Sequence, residues 1–268
     1  MRKCFNLFVI GIIIVSIAFT TFLSQNSLAL QSQQQYVVLK CQFHTHTTFS
    51  DGKYSPEYVV ELYKSKGYDC IAITDHNTMD GVERAKQKGN ELGLIVIGGV
   101  EITERFPNSN GTPTHKHILA LWVNSTFKKY PQIEVEKYFG DIHAQSGIGI
   151  IAHCWRKNEP EDFIPIELSP YWQYRNCSWI DGWEISLLQT KLTDDNIYNL
   201  IGRGYISLGN HDFHRNFVYN TYNLLFCHNK TEEGVKEALL SRRVVAVCNL
   251  KAHGSFESME LYRQYMRG

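Results

Sequence analysis

Short apolar segments alternate with helical patterns along this chain, and histidine or acidic residues follow most of the apolar segments. The first segment, 36–42, is rich in β-branched residues and leads into His44 and His46. Residues two apart on a strand face the same side, so both imidazoles can converge on one ion. Asp51 adds a carboxylate in the next turn. Two histidines in a polar turn without a metal would look the same, so the rest of the chain must decide.

The same arrangement recurs after four further apolar segments. These segments are 70–74, 94–100, 148–152 and 205–208. The residues that follow them are Asp75 and His76, Glu101, His153, and Asp212 and His214. His117 is the exception, because it stands at the start of its predicted strand. Ordinary surface loops would also carry Lys, Ser and Asn at such positions, so the pattern predicts a multinuclear metal site.

The alternation of strands and helices predicts an α/β fold with a mainly parallel, buried sheet. About seven such units are more than an open sheet of this length usually holds, so a TIM-like barrel fits better. In barrels the C-terminal ends of the strands form one face, and the chemistry is located there. We therefore predict a (β/α)7 barrel domain over 36–250 with the metal site on that face.

The first 29 residues have the pattern of a secretory signal peptide. Arg2 and Lys3 precede an apolar run, 5–23, and Ser27-Leu28-Ala29 supplies small residues for cleavage after Ala29. The alternative is an uncleaved membrane anchor, since the run is long enough to span a bilayer. Both predict that the folded part is secreted or extracytoplasmic.

Two short segments flank the predicted barrel. A Gln-rich spacer, 30–35, precedes it, and a C-terminal tail, 251–268, follows it and looks helical.

Charge and cysteine content exclude few partners. Lys plus Arg and Asp plus Glu both number 27, so a formal net charge of zero gives no sign of a nucleic-acid partner. A membrane partner is expected only if the N-terminal segment is not cleaved. Six cysteines follow the signal segment, and disulfides are permitted in an oxidising compartment. Their pairing is not determined by the sequence.

The candidate ligands are too numerous for one ion. One site can use His44, His46, Glu101 and Asp212. Glu101 can bridge to a second site with His117 and His153, and Asp51, His76 and His214 can form a third. Mixed imidazole and carboxylate ligands suit two to three divalent ions of Zn, Mn or Fe, whereas Ca prefers oxygen alone. Clustered ions of this kind activate water, so hydrolysis is the expected reaction class.

These motifs resemble, in the same order, those of the polymerase and histidinol phosphatase (PHP) family. They are His44-Thr-His46, Ser50-Asp51-Gly52, Asp75-His76-Asn77, Gly99-Val-Glu101, His117-Ile-Leu, Ala152-His153 and Asp212-Phe-His214. The resemblance implies a distorted seven-stranded β/α barrel, a trinuclear metal centre, ligands at the nine positions named above, and phosphoester hydrolysis. It is strongest to short stand-alone members that act on small phosphate monoesters or nucleotides. Cys154 and His211 depart from the family pattern, which commonly has proline and serine there.

We therefore predict an exported phosphoesterase that hydrolyses phosphate monoesters or nucleotides with a metal-activated hydroxide. A metal-dependent amidohydrolase or deacetylase on the same fold is one alternative, and a non-catalytic metal-binding surface protein is another. Arg156, three residues after His153, is predicted to bind a phosphate oxygen, although a solvated loop arginine would look the same. Asp75 is predicted to orient a neighbouring imidazole, and Glu184 to support the ligands from behind unless it pairs with a lysine.

Overall fold

The computed structural model describes residues 36–107, 113–130, 135–153, 176–185, 194–216 and 220–267. The predicted signal peptide and spacer, 1–35, lie outside these ranges and stay predictions. No helix among the described residues has the length and apolar character needed to cross a bilayer.

Ten strands and six helices make up the described part of the chain. The strands are β1 Val37–Gln42, β2 Cys70–Ile73, β3 Ile95–Pro107, β4 Pro113–Leu121, β5 Ile148–Ile151, β6 Gly182–Glu184, β7 Ile206–Leu208, β8 Thr221–Cys227, β9 Val244–Cys248 and β10 Lys251–Gly254. The helices are α1 Pro56–Ser65, α2 Val82–Leu92, α3 Val135–Ala144, α4 Asp194–Gly202, α5 Glu232–Leu240 and α6 Phe256–Tyr265.

Local signals explain where the helices begin and end. The Ser55 hydroxyl accepts a hydrogen bond from the Tyr58 amide and caps α1, whose first residue is Pro56. Thr231 caps α5 in the same way through the amide of Gly234. Gly93 ends α2 in a left-handed conformation with a φ of 64°. Ser and Thr favour the N-cap position, Pro favours the first turn, and Gly favours the C-terminal end of a helix. The ends of these helices therefore follow from the local sequence.

The strands form one sheet in the order β10-β9-β8-β1-β2-β3-β4-β5-β6-β7. The two ends of the sheet approach each other, because β7 lies against β9 and the Gly209 backbone hydrogen-bonds to Asn223 of β8 at 2.8 and 3.1 Å. The α/β class and the barrel shape are therefore confirmed. The predicted count of seven strand–helix units is not, because the sheet of described residues has ten strands.

The prediction of a mainly parallel sheet is wrong for the described strand pairs. The parallel pairs are β1–β2, β2–β3, β5–β6 and β6–β7. The antiparallel pairs are β1–β8, β3–β4, β4–β5, β8–β9 and β9–β10. The reversal at β4 has a simple cause: only residues 108–112 connect it to β3, and a parallel crossover needs about a dozen residues or more.

The direction of β4 explains the irregular position of His117. Because β4 runs antiparallel to β3, His117 pairs with Thr103, two residues beyond Glu101. His117, the middle residue of β4, therefore lies at the face where the parallel strands end.

The barrel core is packed with strand side chains together with apolar side chains of α5. Leu39, Cys41, Ala72, Ile97 and Leu119 belong to the same buried interior cluster. Such packing keeps the strand ends, and thus the ligands attached to them, in fixed positions.

The sheet continues past the predicted domain boundary at residue 250. Residues 251–254, assigned to the tail from the sequence pattern, form β10 and pair with β9, while α6 accounts for the expected helix. Among the described cysteines, Cys41, Cys70, Cys177 and Cys227 are free thiols, whereas Cys154 lies outside the described residues.

Candidate metal centre

Backbone hydrogen bonds hold the segment after β1 in an extended form that points two imidazoles at one place. The His46 amide donates to Phe213 O at 2.8 Å, and the Thr74 amide donates to Thr45 O at 2.9 Å. The chain is thus fixed on both sides between two other strand ends. As the spacing predicts, His44 and His46 face the same side, with their Nε2 atoms 3.1 Å apart.

Four candidate ligands, three of them buried and one of intermediate burial, converge where these two imidazoles meet, and we call them the inner group. They are His44, His46, Glu101 and Asp212. Glu101 Oε2 lies 3.1 and 3.0 Å from the Nε2 atoms of His44 and His46, and Asp212 Oδ1 lies 3.2 Å from each. Four atoms bound tetrahedrally at about 2.0 Å to one zinc ion would be about 3.3 Å apart. The inner group therefore has the spacing that a single ion requires.

Glu101 also faces a second set of histidines through its other carboxylate oxygen. Oε1 lies 2.5 Å from His117 Nδ1 and 2.9 Å from His153 Nε2, while Oε2 is 3.0 Å from His76 Nδ1. We call His76, Glu101, His117 and His153 the lateral group. A carboxylate that turns one oxygen to each of two ligand sets has the geometry of a bridging ligand.

The remaining predicted ligands meet near the surface in what we call the outer group. Its members are His46, Asp51, His76 and His214. Asp51 Oδ1 lies 3.1 Å from His214 Nε2, 3.6 Å from His76 Nε2 and 3.8 Å from His46 Nδ1. The Asp51 side chain is 58% exposed, whereas the inner carboxylate of Glu101 is fully buried. The outer group is thus the part of the centre that faces solvent.

Hydrogen bonds fix which nitrogen of His76 is available to an ion. The Thr103 hydroxyl donates to Glu101 O at 3.3 Å and lies 2.6 Å from His76 Nδ1, so it accepts a hydrogen bond from the Nδ1–H group. In this tautomer Nε2 carries no hydrogen and faces Asp51. His76 therefore points its metal-binding nitrogen at the outer group.

The charges of the buried carboxylates suit cations. Burial alone raises the pKa of Glu101, but the His44 and His117 imidazoles outweigh it and hold the pKa well below its usual value. Burial also raises the pKa of Asp212, and His44 and His46 lower it in the same way. Both carboxylates are thus ionised and able to bind a metal.

The donor set passes a further test for metal binding. Glu101 Oε2 is buried and makes no hydrogen bond within the described residues, although three imidazole nitrogens surround it. Burial lowers the pKa of His46, but its contacts with Asp212 and Glu101 raise it to about 9. Metal ions displace such protons when they bind. The residues present therefore fit Zn, Mn or Fe.

Glu184 contacts two of the candidate ligands. Its Oε1 is 2.8 Å from His44 Nδ1, and its Oε2 accepts a hydrogen bond from the His153 amide at 2.7 Å. A carboxylate on Nδ1 leaves Nε2 of His44 free to bind an ion.

Asp75 is predicted to orient a neighbouring imidazole, but among the described residues its carboxylate does not contact one directly. Its carboxylate accepts hydrogen bonds from the Thr47 amide at 2.7 Å, the Thr47 hydroxyl at 2.6 Å and the Ser50 hydroxyl at 2.6 Å. It touches His46 only through Ser50, whose oxygen is 3.4 Å from His46 Nδ1. The turn offers this carboxylate one backbone amide and two hydroxyls as donors, whereas an imidazole nitrogen could offer only one. Asp75 thus fixes the turn that carries His46 and Asp51.

Three supporting residues were missed because they are neither histidine nor acidic. Thr47 and Ser50 connect the ligand turn to Asp75, and Asn210 donates to Glu184 Oε1 at 2.9 Å. Their only signal in the sequence is their place beside a ligand motif. Arg156 lies outside the described residues, so its predicted phosphate contact stays a prediction.

Comparison with protein-family models matches residues 42–223 to the PHP domain. This range includes all nine predicted ligands, and the resemblance inferred from the motifs is confirmed.

Two curated relatives match shorter segments. A phosphoribosyl 1,2-cyclic phosphate 1,2-diphosphodiesterase from Eggerthella lenta is 38% identical over 80 residues, which is 30% of this chain and 29% of that protein. A 5'-3' exoribonuclease from Haemophilus influenzae is 33% identical over 90 residues, which is 34% of this chain and 31% of that protein. The chain thus spans less than a third of the length of each.

A solved structure matches the fold over most of the chain. It is a two-domain protein from Bacteroides vulgatus that contains a predicted PHP-like metal-dependent phosphoesterase. The TM-score is 0.68 at 21% identity, and the match covers 86% of this chain and 70% of the other. At this identity the likeness concerns the fold.

Proposed function

The chain belongs to the PHP domain family, and we propose that it is an exported metal-dependent phosphoesterase that hydrolyses phosphate monoesters or nucleotides. One observation carries this proposal. Nine histidine, aspartate and glutamate side chains from strands and strand ends that are distant in the sequence converge in three overlapping groups, and Glu101 belongs to two of them. A chain that had lost catalysis would be free to lose some of these ligands.

The three groups differ in their exposure to solvent, and therefore in whether they can hold ions away from solvent or be reached by a substrate. The inner group is the most buried, the histidines of the lateral group are partly exposed, and the outer group opens to solvent through Asp51. Bound divalent ions would supply an activated water and positive charge for the phosphoryl oxygens. His44 and His76 each present one nitrogen in a fixed tautomer because Glu184 and Thr103 hold the other. The ester therefore meets a site whose ligands are already oriented.

The test is a substrate screen on purified protein loaded with Zn, Mn or Fe. Phosphate release from monoesters and nucleotides is expected, and a diester, an oligonucleotide and an acyl amide complete the screen. Cleavage of the amide alone would favour the amidohydrolase alternative, and no cleavage with full metal content would favour the non-catalytic one.

A pair of matched variants shows whether the activity belongs to this centre. His44→Gln should abolish phosphate release. His143→Gln changes an exposed histidine on α3 that pairs with Asp181, so it should leave the activity unchanged. Equal loss in both variants, or in neither, would contradict the assignment.

Substrate binding by Arg156 is part of the same proposal. An arginine fork can hold two phosphoryl oxygens in parallel, which lysine cannot do. Arg156→Ala should lower kcat/KM for a monoester by roughly one to two orders of magnitude without loss of metal, and Arg156→Lys should recover part of it. Unchanged kinetics in both variants would indicate that Arg156 is a solvated loop residue that does not bind the substrate.

Export is supported by the charged start, the apolar run and the small residues before Leu30. N-terminal sequencing of the exported protein should find a start near Leu30. Intact Met1 in a membrane fraction would favour an uncleaved anchor instead.

A further inference from the structure

The side-chain amide of Asn210 supports the candidate metal ligands indirectly, because it contacts Glu184, which in turn contacts His44. Asn210 is 2% exposed and lies two residues before the ligand Asp212. Its Nδ2 donates to Glu184 Oε1 at 2.9 Å, beside the contact of that oxygen with His44 Nδ1. Glu184 is likewise buried, so its carboxylate depends on protein groups for its hydrogen bonds.

The orientation of the Asn210 amide is fixed by its other partners. Asn210 Oδ1 accepts from the Phe43 amide at 3.1 Å and from Asn223 Nδ2 at 3.1 Å. A backbone N–H can only donate, so the amide oxygen must face Phe43 and the NH₂ group must face Glu184. The Gly209 amide fixes Asn223 in the same way by donating to its Oδ1 at 2.8 Å.

We propose that Asn210 is a positioning residue that acts through Glu184 on two ligands in different groups. Glu184 Oε1 holds the side chain of His44 in the inner group, and Oε2 holds the backbone of His153 in the lateral group. Rotation of this carboxylate would move both histidines together. Asn210 thus couples metal binding at the inner and lateral groups, and this inference rests on the metal centre of the proposed function.

A change of one atom tests this coupling. Asn210→Asp keeps the shape of the side chain but replaces the NH₂ donor with an oxygen, 2.9 Å from Glu184 Oε1. Two buried carboxylates facing each other repel, so Glu184 must turn or take up a proton. Either response removes an acceptor from His44 Nδ1 or from the His153 amide. Asn90→Asp adds the same charge at an exposed position on α2 and serves as the matched control.

The measurement is divalent metal affinity, determined with Zn²⁺ or Mn²⁺ on metal-free protein by competition with a chelator. Loss of a partner behind a metal ligand typically costs 10- to 100-fold in affinity. We expect a loss of this size in Asn210→Asp, affecting at least two bound ions, and wild-type affinity in Asn90→Asp. The NMR signal of the His44 Nδ1 proton should shift or disappear in Asn210→Asp alone. Folding without metal is checked by circular dichroism.

A second variant keeps the inference testable if Asn210→Asp does not fold. Asn210→Ser adds no charge, and its short side chain does not reach Glu184, so metal affinity should again fall and the His44 proton should shift. Wild-type affinity and an unchanged proton signal in the folded variant would overturn the inference. Absence of phosphate release by the wild type would contradict the proposed function but not this coupling, because the assay contains no substrate. A wild type that binds no divalent ion would overturn both.

Discussion

At the scale of single residues, the carboxylate of Glu101 contributes most to the centre. Its two oxygens face five imidazoles between them, and no other described residue belongs to both the inner and lateral groups. Glu101→Gln keeps the volume but removes the charge and replaces one oxygen with an NH₂ donor. We expect at least one ion to be lost and kcat/KM to fall by about two orders of magnitude or more. Elemental analysis and kinetics on a monoester are the measurements.

The exposed Glu91 on α2 provides the control for this prediction, because Glu91→Gln removes the same charge away from the centre. It should bind metal and turn over substrate like the wild type. Full metal content together with full turnover in Glu101→Gln would exclude the bridging role.

The residues that converge in the candidate metal centre could be predicted from the sequence, whereas the residues that orient them could not. The candidate ligands are all histidine or acidic, and most of them come after an apolar segment, so both properties are visible in the chain. The partners of Asp75 and Asn210 are set by which turns lie beside each other in space. Asp75 contacts Thr47 and Ser50, 28 and 25 residues away, and Asn210 contacts Glu184, 26 residues away. No local pattern encodes such pairs.

At the scale of elements, the turn after β1 tolerates no side chain at Gly52. A Cβ there would lie 2.5 Å from the carbonyl carbon and oxygen of His46. Gly52→Ala should therefore displace the turn, weaken metal binding by the outer group, and lower the free energy of unfolding by about 1–3 kcal/mol. Denaturant unfolding and metal analysis test this.

Gly140, on the exposed side of α3, is the matched control. A Cβ there meets nothing within 4 Å, so Gly140→Ala should raise the free energy of unfolding by roughly 0.5–1 kcal/mol through the better helix propensity of alanine. Equal stability changes in the two variants would show that the close approach at Gly52 has no consequence.

The elements also show where sequence reasoning fails. Helix ends depend on residues close by, such as Ser55 and Pro56, so their signals can be read in the local sequence. Strand direction depends on the connection and on the partner chosen, and an apolar segment looks the same in either direction. The reversal of β4 was therefore missed, and His117 remained an exception until its strand partner was known.

At the scale of the whole molecule, bound ions should contribute to folding stability. The ligands come from distant parts of the chain and converge only in the folded state, so ions bind that state preferentially. At 100 times the dissociation constant, one ion adds about 2.7 kcal/mol to the free energy of unfolding. Removing it should lower Tm by about 5 to 10 °C for a protein of this size. Calorimetry with chelator, then with added Zn²⁺ or Mn²⁺, checks this, and a Tm indifferent to both would contradict it.

Solvent exposure differs across the centre, and this difference should affect how fast each bound ion is released. Asp51 is open to water, whereas His44, His46 and Glu101 are sealed beneath it. A chelator that approaches from solvent reaches the outer group first, and the buried groups release their ions only when the protein opens further. We expect the chelator to remove the ions in stages. An ion bound by the outer group should have a short residence time, and an ion bound by the buried residues should have a long one. Brief exposure to a chelator should then leave a population that has lost its outermost ion and kept the rest.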